Sequence, residues 1–176
     1  MEQAKWKHHL EVATNVAVLL AAMLLISTFV WNYLARTQKP KLQAGFQKGQ
    51  SLTRLPAINY SSSPQTLLIA ISTTCHYCKE SLPFYKQLAD AQQQRGRATH
   101  IVALFPNSEN DVQQYVQQNQ LNLETIAGAN FKALNISSTP TMLLVDKDGK
   151  ILDFWVGKLS KNDEQQVIMS ASEPKT

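Results

Sequence analysis

Residues 66–78 have the sequence TLLIAISTTCHYC, in which an apolar run leads into two cysteines separated by two residues. Thr66 to Ser72 is rich in Leu and Ile, which predicts a strand buried on both faces. After the cysteines, apolar side chains recur at helical spacing, and Gly96 provides a stop. These apolar positions are Leu82, Tyr85, Leu88 and Ala89. The cysteine pair is therefore predicted to lie where a strand passes into a helix.

Cys75 and Cys78 are the only two cysteines in the 176-residue chain. At a helix N-terminus, unpaired backbone N–H groups and the helix dipole favour a thiolate at Cys75. Cys78 follows one turn later, where we expect it to be shielded. This arrangement suits a thiolate that attacks a foreign disulfide and a second thiol that resolves the mixed disulfide. We predict Cys75 and Cys78 as a catalytic pair.

Three other uses of the pair compete with this prediction. A structural zinc site needs four ligands, and the four histidines of the chain supply no second ligand cluster. A static disulfide would close so short a loop that it removes little entropy from the unfolded chain. A copper(I) site formed by both thiolates with His76 or a methionine agrees with the preference of that ion for soft ligands. A copper-binding or copper-delivery module is therefore the alternative function.

An uncharged stretch near the N-terminus predicts a membrane anchor. Val12 to Trp31 contains 20 residues without a charge, which is the length that spans a bilayer core. A cleaved signal peptide is disfavoured because its apolar run is normally about 7 to 15 residues long. The predicted organisation is a short tail over 1–11, a transmembrane anchor over 12–34, a linker over 35–50 and a soluble domain over 51–176.

The charges around this segment bear on its orientation. Lys5 and Lys7 precede it, while a larger number of basic residues follow, so the count of Lys and Arg places the domain in the cytoplasm. We nevertheless expect an extracytoplasmic, periplasmic domain on a single-pass protein of the bacterial cytoplasmic membrane. A long domain can be translocated regardless of its charge, and disulfide exchange belongs in an oxidising compartment.

The net charge of +4 is concentrated beside the predicted anchor. Residues 1–60 carry seven Lys or Arg and two Asp or Glu, whereas residues 61–176 carry ten and eleven. Two interpretations explain this basic excess equally well. The basic residues contact lipid headgroups, or they belong to an ordinary solvated linker. The domain itself is nearly neutral and has no basic stripe, so we predict no nucleic-acid partner. The lipid bilayer is the predicted partner of residues 12–34.

The rest of the chain alternates between strand and helix patterns. An Asp-Gly pair at Asp148-Gly149 between two apolar runs predicts a hairpin, and Ser160 with Asp163 predicts the start of a last helix. These patterns indicate a layered α/β domain. The predicted elements are strands over 100–105, 121–126, 141–146 and 151–156, helices over 111–118 and 160–170, and a helical turn over 131–134.

Four motifs together resemble the thioredoxin superfamily. They are the CxxC pair after a strand, Pro83 in the following helix, Ser138-Thr139-Pro140-Thr141 at the start of a strand, and an Asp-Gly hairpin followed by Trp155-Val156-Gly157. With its predicted anchor and a strand-helix insert, the chain is most similar to the membrane-anchored TlpA/ResA-like thiol-disulfide oxidoreductases. The resemblance covers about residues 45 to 170. It implies a thioredoxin-like α/β fold, with a central mixed sheet flanked by helices.

The resemblance also implies roles for individual residues. Pro140 would be a cis-proline beside the dithiol, where it and Thr139 would bind an extended protein substrate, and Pro83 would kink the active-site helix. The implied substrates are exported proteins, including apocytochrome c, and the implied redox partner is a membrane electron-donor or electron-acceptor protein. No cofactor is implied beyond the redox-active Cys75–Cys78 disulfide.

The chain departs from the family pattern around the cysteines. Thr74 stands where a Trp is common, Ile69 where thioredoxins bury an Asp, and Ser81 where ResA-type relatives often have a Glu. Glu80 comes one residue before that last position, and a one-residue shift turns a helical side chain by about 100°. We therefore expect Glu80 at the surface.

His76 and Tyr77, between the cysteines, are the predicted redox-tuning residues. A cation at His76 would stabilise the Cys75 thiolate and make the disulfide more oxidising. The competing interpretation is an exposed histidine with little effect, because a helix N-terminus disfavours a positive charge. Tyr77 offers an apolar surface for partner recognition or serves as cover for the dithiol.

Overall fold

The computed structural model describes residues 15–16, 18–31, 45–52, 55, 57–94 and 99–173. The chain divides into two units, residues 1–41 and 42–176. In the first unit, residues 15–16 and 18–31 are helical (α1), and the large apolar side chains of this helix are exposed. In the described part of the chain, no helix is long and apolar enough to cross a membrane. The predicted anchor over 12–34 also includes residues 12–14, 17 and 32–34, which lie outside the described residues, as does the whole tail over 1–11.

The second unit is built on a mixed five-stranded sheet with the order β3-β2-β1-β4-β5. β1 pairs in parallel with β2, and β2 with β3, whereas β4 runs antiparallel to both β1 and β5. The predicted mixed sheet is confirmed. The strands are β1 (Gln65–Ala70), β2 (Thr99–Leu104), β3 (Glu124–Ile126), β4 (Thr141–Asp146) and β5 (Ile151–Val156).

Helices pack against this sheet at positions close to the predicted ones. The last helix begins with a capping box, in which Ser160 and Asp163 satisfy each other's backbone N–H groups. The described helices of this unit are the 3₁₀ helix η1 (Tyr60–Ser62), α2 (His76–Glu80), α3 (Leu82–Gln94), α4 (Glu109–Asn119) and α5 (Lys161–Ser172).

β1 is buried on both faces, as its apolar sequence predicts. Because side chains alternate along a strand, Leu67 and Ile69 join one core cluster and Leu68 and Ala70 join the other. The first cluster also receives side chains from the four helices α2 to α5. The second is covered by residues from the segment before β1 and from the turn over 131–135. The sheet thus carries the cysteine-bearing helix on the first of its two faces.

The predicted strand over 121–126 is shorter in the structure, because the chain first has to leave α4. Gln120 adopts a left-handed conformation with φ 52°, and the N–H of Leu121 returns to the carbonyl of Val116 at 3.1 Å. Leu121 is buried in the core as part of this helix end. Regular pairing with β2 therefore starts only at Glu124.

The predicted linker also ends earlier than residue 50. Phe46 is only 5% exposed and packs against Phe154, with the ring centroids 6.0 Å apart. The Gly49 N–H donates to the Ile151 carbonyl at 2.7 Å. Residues 46–50 thus belong to the domain, because they cover the second face of its sheet. Residues 46–50 are polar apart from Phe46 and Gly49, so their sequence did not predict this packing.

A buried polar network ties the end of α5 to the sheet. The Gln65 side chain donates from Nε2 to Thr99 Oγ1 and to the Ser170 carbonyl, both at 2.7 Å. Gln65→Ala should lower the free energy of unfolding by about 1–3 kcal/mol, because it removes both hydrogen bonds of a fully buried side chain. Urea unfolding of the domain would measure this, with the exposed Gln114→Ala as control. A loss no larger than that of the control would contradict the role given to this network.

Candidate active site

The two cysteines form a disulfide at the start of α2. Cys75 is the N-cap residue and is half-buried, whereas Cys78 lies inside the helix and is fully buried. Their Cα atoms are 5.2 Å apart. The strand β1 ends five residues before Cys75, so the pair lies at the predicted strand-to-helix passage. One sulfur is therefore open to a partner, and the other is shielded by the core.

The surroundings of Cys75 Sγ favour negative charge on that sulfur. The backbone N–H of Cys78 donates a hydrogen bond to Cys75 Sγ at 3.1 Å. In the reduced protein, this donor and the helix N-terminus would stabilise a Cys75 thiolate. Cys78 lies inside α2 and is fully buried, and burial disfavours a charge on its sulfur. The two sulfurs are thus chemically different, as an attacking and a resolving thiol require.

The loop before β4 lies directly against the disulfide. The Thr139–Pro140 peptide bond is cis, as predicted, and the Thr139 carbonyl oxygen lies 3.4 Å from Cys75 Sγ. The Gly157 N–H donates to the Pro140 carbonyl at 2.7 Å, which connects this loop to the end of β5. Thr141 Oγ1 donates to the Ser138 carbonyl at 2.7 Å. The fold thus brings Thr139 and Pro140 beside Cys75 from 64 residues away in the chain. The role of Thr139 and Pro140 in substrate binding stays a prediction.

Pro83 interrupts the helix that carries the cysteines. Without an N–H group, Pro83 cannot donate to the carbonyl of Lys79, and the helix is broken between α2 and α3. At the break, the Ser81 N–H donates to the carbonyls of Tyr77 at 3.1 Å and Cys78 at 3.2 Å. The resemblance predicted a kink at Pro83, and the structure has a break at Ser81, two residues before it.

His76 and Tyr77 are exposed on the active-site face of α2. The His76 side chain is 77% exposed and Tyr77 is 56% exposed, and their rings make an edge contact with centroids 5.6 Å apart. His76 Nε2 lies 3.2 Å from Glu80 Oε1. Both side chains are therefore within reach of a partner that approaches Cys75. Their part in redox tuning stays a prediction.

Glu80 lies at the surface, as predicted, but it is not free in solvent. Besides His76, it accepts a hydrogen bond from Lys158, whose Nζ lies 2.8 Å from Glu80 Oε2. The pKa of the Glu80 carboxyl lies below its ordinary value, chiefly because Lys158 donates this hydrogen bond, with smaller contributions from the charges of Lys158 and His76. Lys158 was not among the predicted site residues. Its only sequence signal is that it directly follows Trp155-Val156-Gly157.

Neutral side chains lie near Cys78 on the inner side of the helix. Ser81, which stands where ResA-type relatives often have a Glu, is buried and donates from Oγ to the Tyr77 carbonyl at 2.8 Å. Tyr85 is fully buried in the same core cluster as Cys78, and burial raises the pKa of its hydroxyl above the ordinary value. Ile69 belongs to that cluster as well. The departures from the family pattern therefore leave Cys78 beside an apolar and hydroxyl-bearing core.

The described part of the chain gives no support for a metal site. Within these residues, no group of three or more His, Cys, Asp or Glu side chains is placed to hold a metal ion. Cys75 and Cys78 are bonded to each other, and His76 faces Glu80.

Comparison with known protein families gives a match over most of the domain. The model of a thioredoxin-like domain matches residues 57–171, which include the disulfide and the cis-Pro140 loop. The chain belongs to the thioredoxin-like family. A CxxC disulfide at the N-terminus of the helix after β1, in a thioredoxin-like domain, is the site of a thiol-disulfide oxidoreductase. No curated protein has significant sequence similarity to the chain.

Solved structures of similar fold come from several bacteria. A putative thiol:disulfide interchange protein DsbE from Chlorobium tepidum is 19% identical, with a TM-score of 0.60 over 73% of this chain and 99% of that one. StoA from Bacillus subtilis is 19% identical, with a TM-score of 0.54 over 63% and 84%. A secreted Mycobacterium tuberculosis disulfide oxidoreductase homologous to E. coli DsbE is 18% identical, with a TM-score of 0.50 over 61% and 81%. At these identities the likenesses show the thioredoxin-like fold.

Proposed function

We propose that the chain is a membrane-tethered thiol-disulfide oxidoreductase that reduces disulfides in exported proteins, outside the cytoplasm. The main support for the redox step is the position of Cys75 Sγ. This sulfur accepts a hydrogen bond from the Cys78 N–H at 3.1 Å and lies 3.4 Å from the Thr139 carbonyl oxygen. Cys78 is fully buried behind it. The site thus offers one accessible sulfur for attack and keeps the second for resolution.

The membrane tether and the extracytoplasmic position rest on sequence and on chemistry. Val12 to Trp31 is uncharged over the length of a bilayer core, and residues 12–34 are the proposed anchor. Disulfide exchange is productive in oxidising compartments, where exported proteins acquire disulfides. One protein of similar fold is described as secreted, and others as thiol:disulfide interchange proteins. A domain outside the bacterial cytoplasmic membrane agrees with all three points.

The reaction begins with the reduced pair and a thiolate at Cys75. The Cys75 sulfur bonds to one sulfur of the substrate disulfide, the substrate S–S bond breaks, and the other substrate sulfur leaves and takes up a proton. Cys78 then loses its proton and bonds to Cys75 Sγ, which breaks the mixed disulfide. The second substrate sulfur leaves and gains a proton in turn. The substrate has then gained two electrons and two protons, and the Cys75–Cys78 disulfide is the oxidised product.

The proposal also names a substrate and an electron source. An extended polypeptide next to Cys75 would lie along Thr139 and Pro140, with Tyr77 as an exposed apolar contact. Apocytochrome c is the exported substrate suggested by the resemblance to TlpA/ResA-like oxidoreductases. A membrane protein with its own dithiol would return two electrons to the Cys75–Cys78 disulfide, so the cycle needs no other cofactor.

Trapping experiments test the exchange reaction in cells. Cys78→Ser in the full-length chain should accumulate mixed disulfides through Cys75, because the resolving thiol is absent. These adducts should disappear on reduction, and mass spectrometry should identify exported proteins with paired cysteines, apocytochrome c among them. The Cys75→Ser, Cys78→Ser double variant is the control and should form none. Folded Cys78→Ser protein without adducts would refute the proposed exchange.

The position of the domain requires a separate measurement. A thiol label that cannot cross membranes should react with reduced Cys75 in intact spheroplasts, because the proposed domain lies outside. The Cys75→Ser variant controls for background labelling, since Cys78 is buried. Labelling that occurs only after lysis would place the domain in the cytoplasm and overturn the proposed location without affecting the exchange chemistry.

A further inference from the structure

We propose that the ion pair between Glu80 and Lys158 sets the redox potential of the Cys75–Cys78 disulfide, with the two charges acting in opposite directions on the Cys75 thiolate. The pair joins α2, which begins next to Cys75, to the loop after β5, with Lys158 Nζ 2.8 Å from Glu80 Oε2. The inference rests on dithiol exchange at this disulfide and is independent of the membrane location.

The pair is part of a ring of contacts around the disulfide. Lys158 follows Gly157, whose N–H donates to the Pro140 carbonyl at 2.7 Å. The preceding residue, Thr139, has its carbonyl oxygen 3.4 Å from Cys75 Sγ. From the other side, Glu80 holds His76, which adjoins Cys75, at 3.2 Å. The ion pair is thus connected to the attacking sulfur by two routes, through His76 on α2 and through the Thr139–Pro140 loop.

The charges in this ring are few. Among the described residues, α2 carries His76, Lys79 and Glu80, and the loop after β5 contributes Lys158. Segment 71–74 precedes Cys75 and segment 137–141 contains its neighbour Thr139, and neither has an ionisable side chain other than hydroxyls. Glu80 is the single carboxylate in this set. Loss of its neutralising lysine would therefore leave a negative charge near a sulfur that must itself become negative.

The expected signs follow from Coulomb's law and from linkage. A Glu80 carboxylate without Lys158 disfavours the Cys75 thiolate, which destabilises the reduced state and makes the protein more reducing. A Lys158 ammonium without Glu80 favours the thiolate and makes the protein more oxidising. If the ion pair only held the loop against α2, the two substitutions would have the same effect, because either one breaks the same contact. Such a role would shift the potential in the same direction in both variants.

The test is the redox equilibrium of the full-length protein with glutathione, measured for Glu80→Gln, Lys158→Gln and the double variant. Exposed charges are screened by solvent, so we expect each single variant to change the equilibrium constant about two- to fivefold, in opposite directions. A threefold change corresponds to about 14 mV. The double variant should return close to the wild-type value, and the single-variant shifts should shrink in high salt.

Alkylation of Cys75 at fixed pH is the second readout. The initial rate with iodoacetamide should fall in Lys158→Gln and rise in Glu80→Gln, because the thiolate is the reacting species. The same opposite signs should persist in a His76→Asn background, since they arise from Glu80 and Lys158.

Lys48→Gln is the matched control, because Lys48 makes an ion pair of the same length, 2.8 Å, with Asp153 on β5. It should change neither readout. Shifts of the same sign in both single variants, or no shift beyond that of Lys48→Gln, would overturn the proposed tuning. Wild-type protein that exchanges with glutathione while the variants stay unshifted would refute this inference alone, whereas no exchange at all would refute the proposed function.

Discussion

Cys75→Ser should abolish disulfide exchange, with the rate reduced to that of the uncatalysed reaction. A serine hydroxyl cannot form the mixed disulfide, and Cys78, the remaining cysteine of the chain, is fully buried. The rate at which the protein reduces a disulfide-bonded peptide in the presence of dithiothreitol would measure the loss.

Cys78→Ser provides the comparison for this result. It should keep the first step, because Cys75 retains the helix N-terminus and its place beside Thr139, but it should stop after one mixed disulfide per molecule. Substantial turnover by Cys75→Ser would mean that Cys78 or another group attacks the substrate. The division between an attacking and a resolving sulfur would then be wrong.

Phe84→Ala should cause a large loss of stability in the helices of the active site. Phe84 is 1% exposed, lies in the same core cluster as Cys78, and contacts Tyr85 with ring centroids 6.1 Å apart. Truncation of a buried Phe costs about 3–5 kcal/mol, which is a large part of the stability of a typical domain. Urea unfolding of the domain would report this loss.

Phe84→Leu is the matched control, since it keeps an apolar side chain and most of the volume. We expect it to cost clearly less than Phe84→Ala. Equal losses for the two variants would show that the cavity is not the cause. A loss below about 1 kcal/mol for Phe84→Ala would contradict the burial of this ring.

Local patterns were sufficient for most of the sheet. The bounds of β4 and β5 agree with the prediction, because an Asp-Gly turn between two apolar runs defines a hairpin within a short segment. Local patterns did not predict the N-terminal boundary of the domain. Phe46 belongs to the domain only because Phe154, more than 100 residues later, offers it a surface to pack on. No local pattern records such a partner.

The active site shows the same division. Cys75 and Cys78 are close in the chain, so their spacing already predicted the disulfide. The resemblance to thioredoxins predicted the cis bond before Pro140, which the structure confirms. Glu80 was expected at the surface, and it lies there, but its partner Lys158 comes 78 residues later. The sequence alone gave no reason to connect them.

From the residues alone, TLLIAISTTCHYC determined a buried strand, a helix start and two chemically distinct sulfurs, since each depends on neighbours within a few positions. Tertiary structure decided what surrounds those sulfurs. The antiparallel pairing of β4 with β1 and β5 brings Thr139, Pro140, Gly157 and Lys158 to the end of the sheet where α2 begins. Electrostatic interactions act through space, so the groups near Cys75 that are distant in the chain could be identified only from the folded structure.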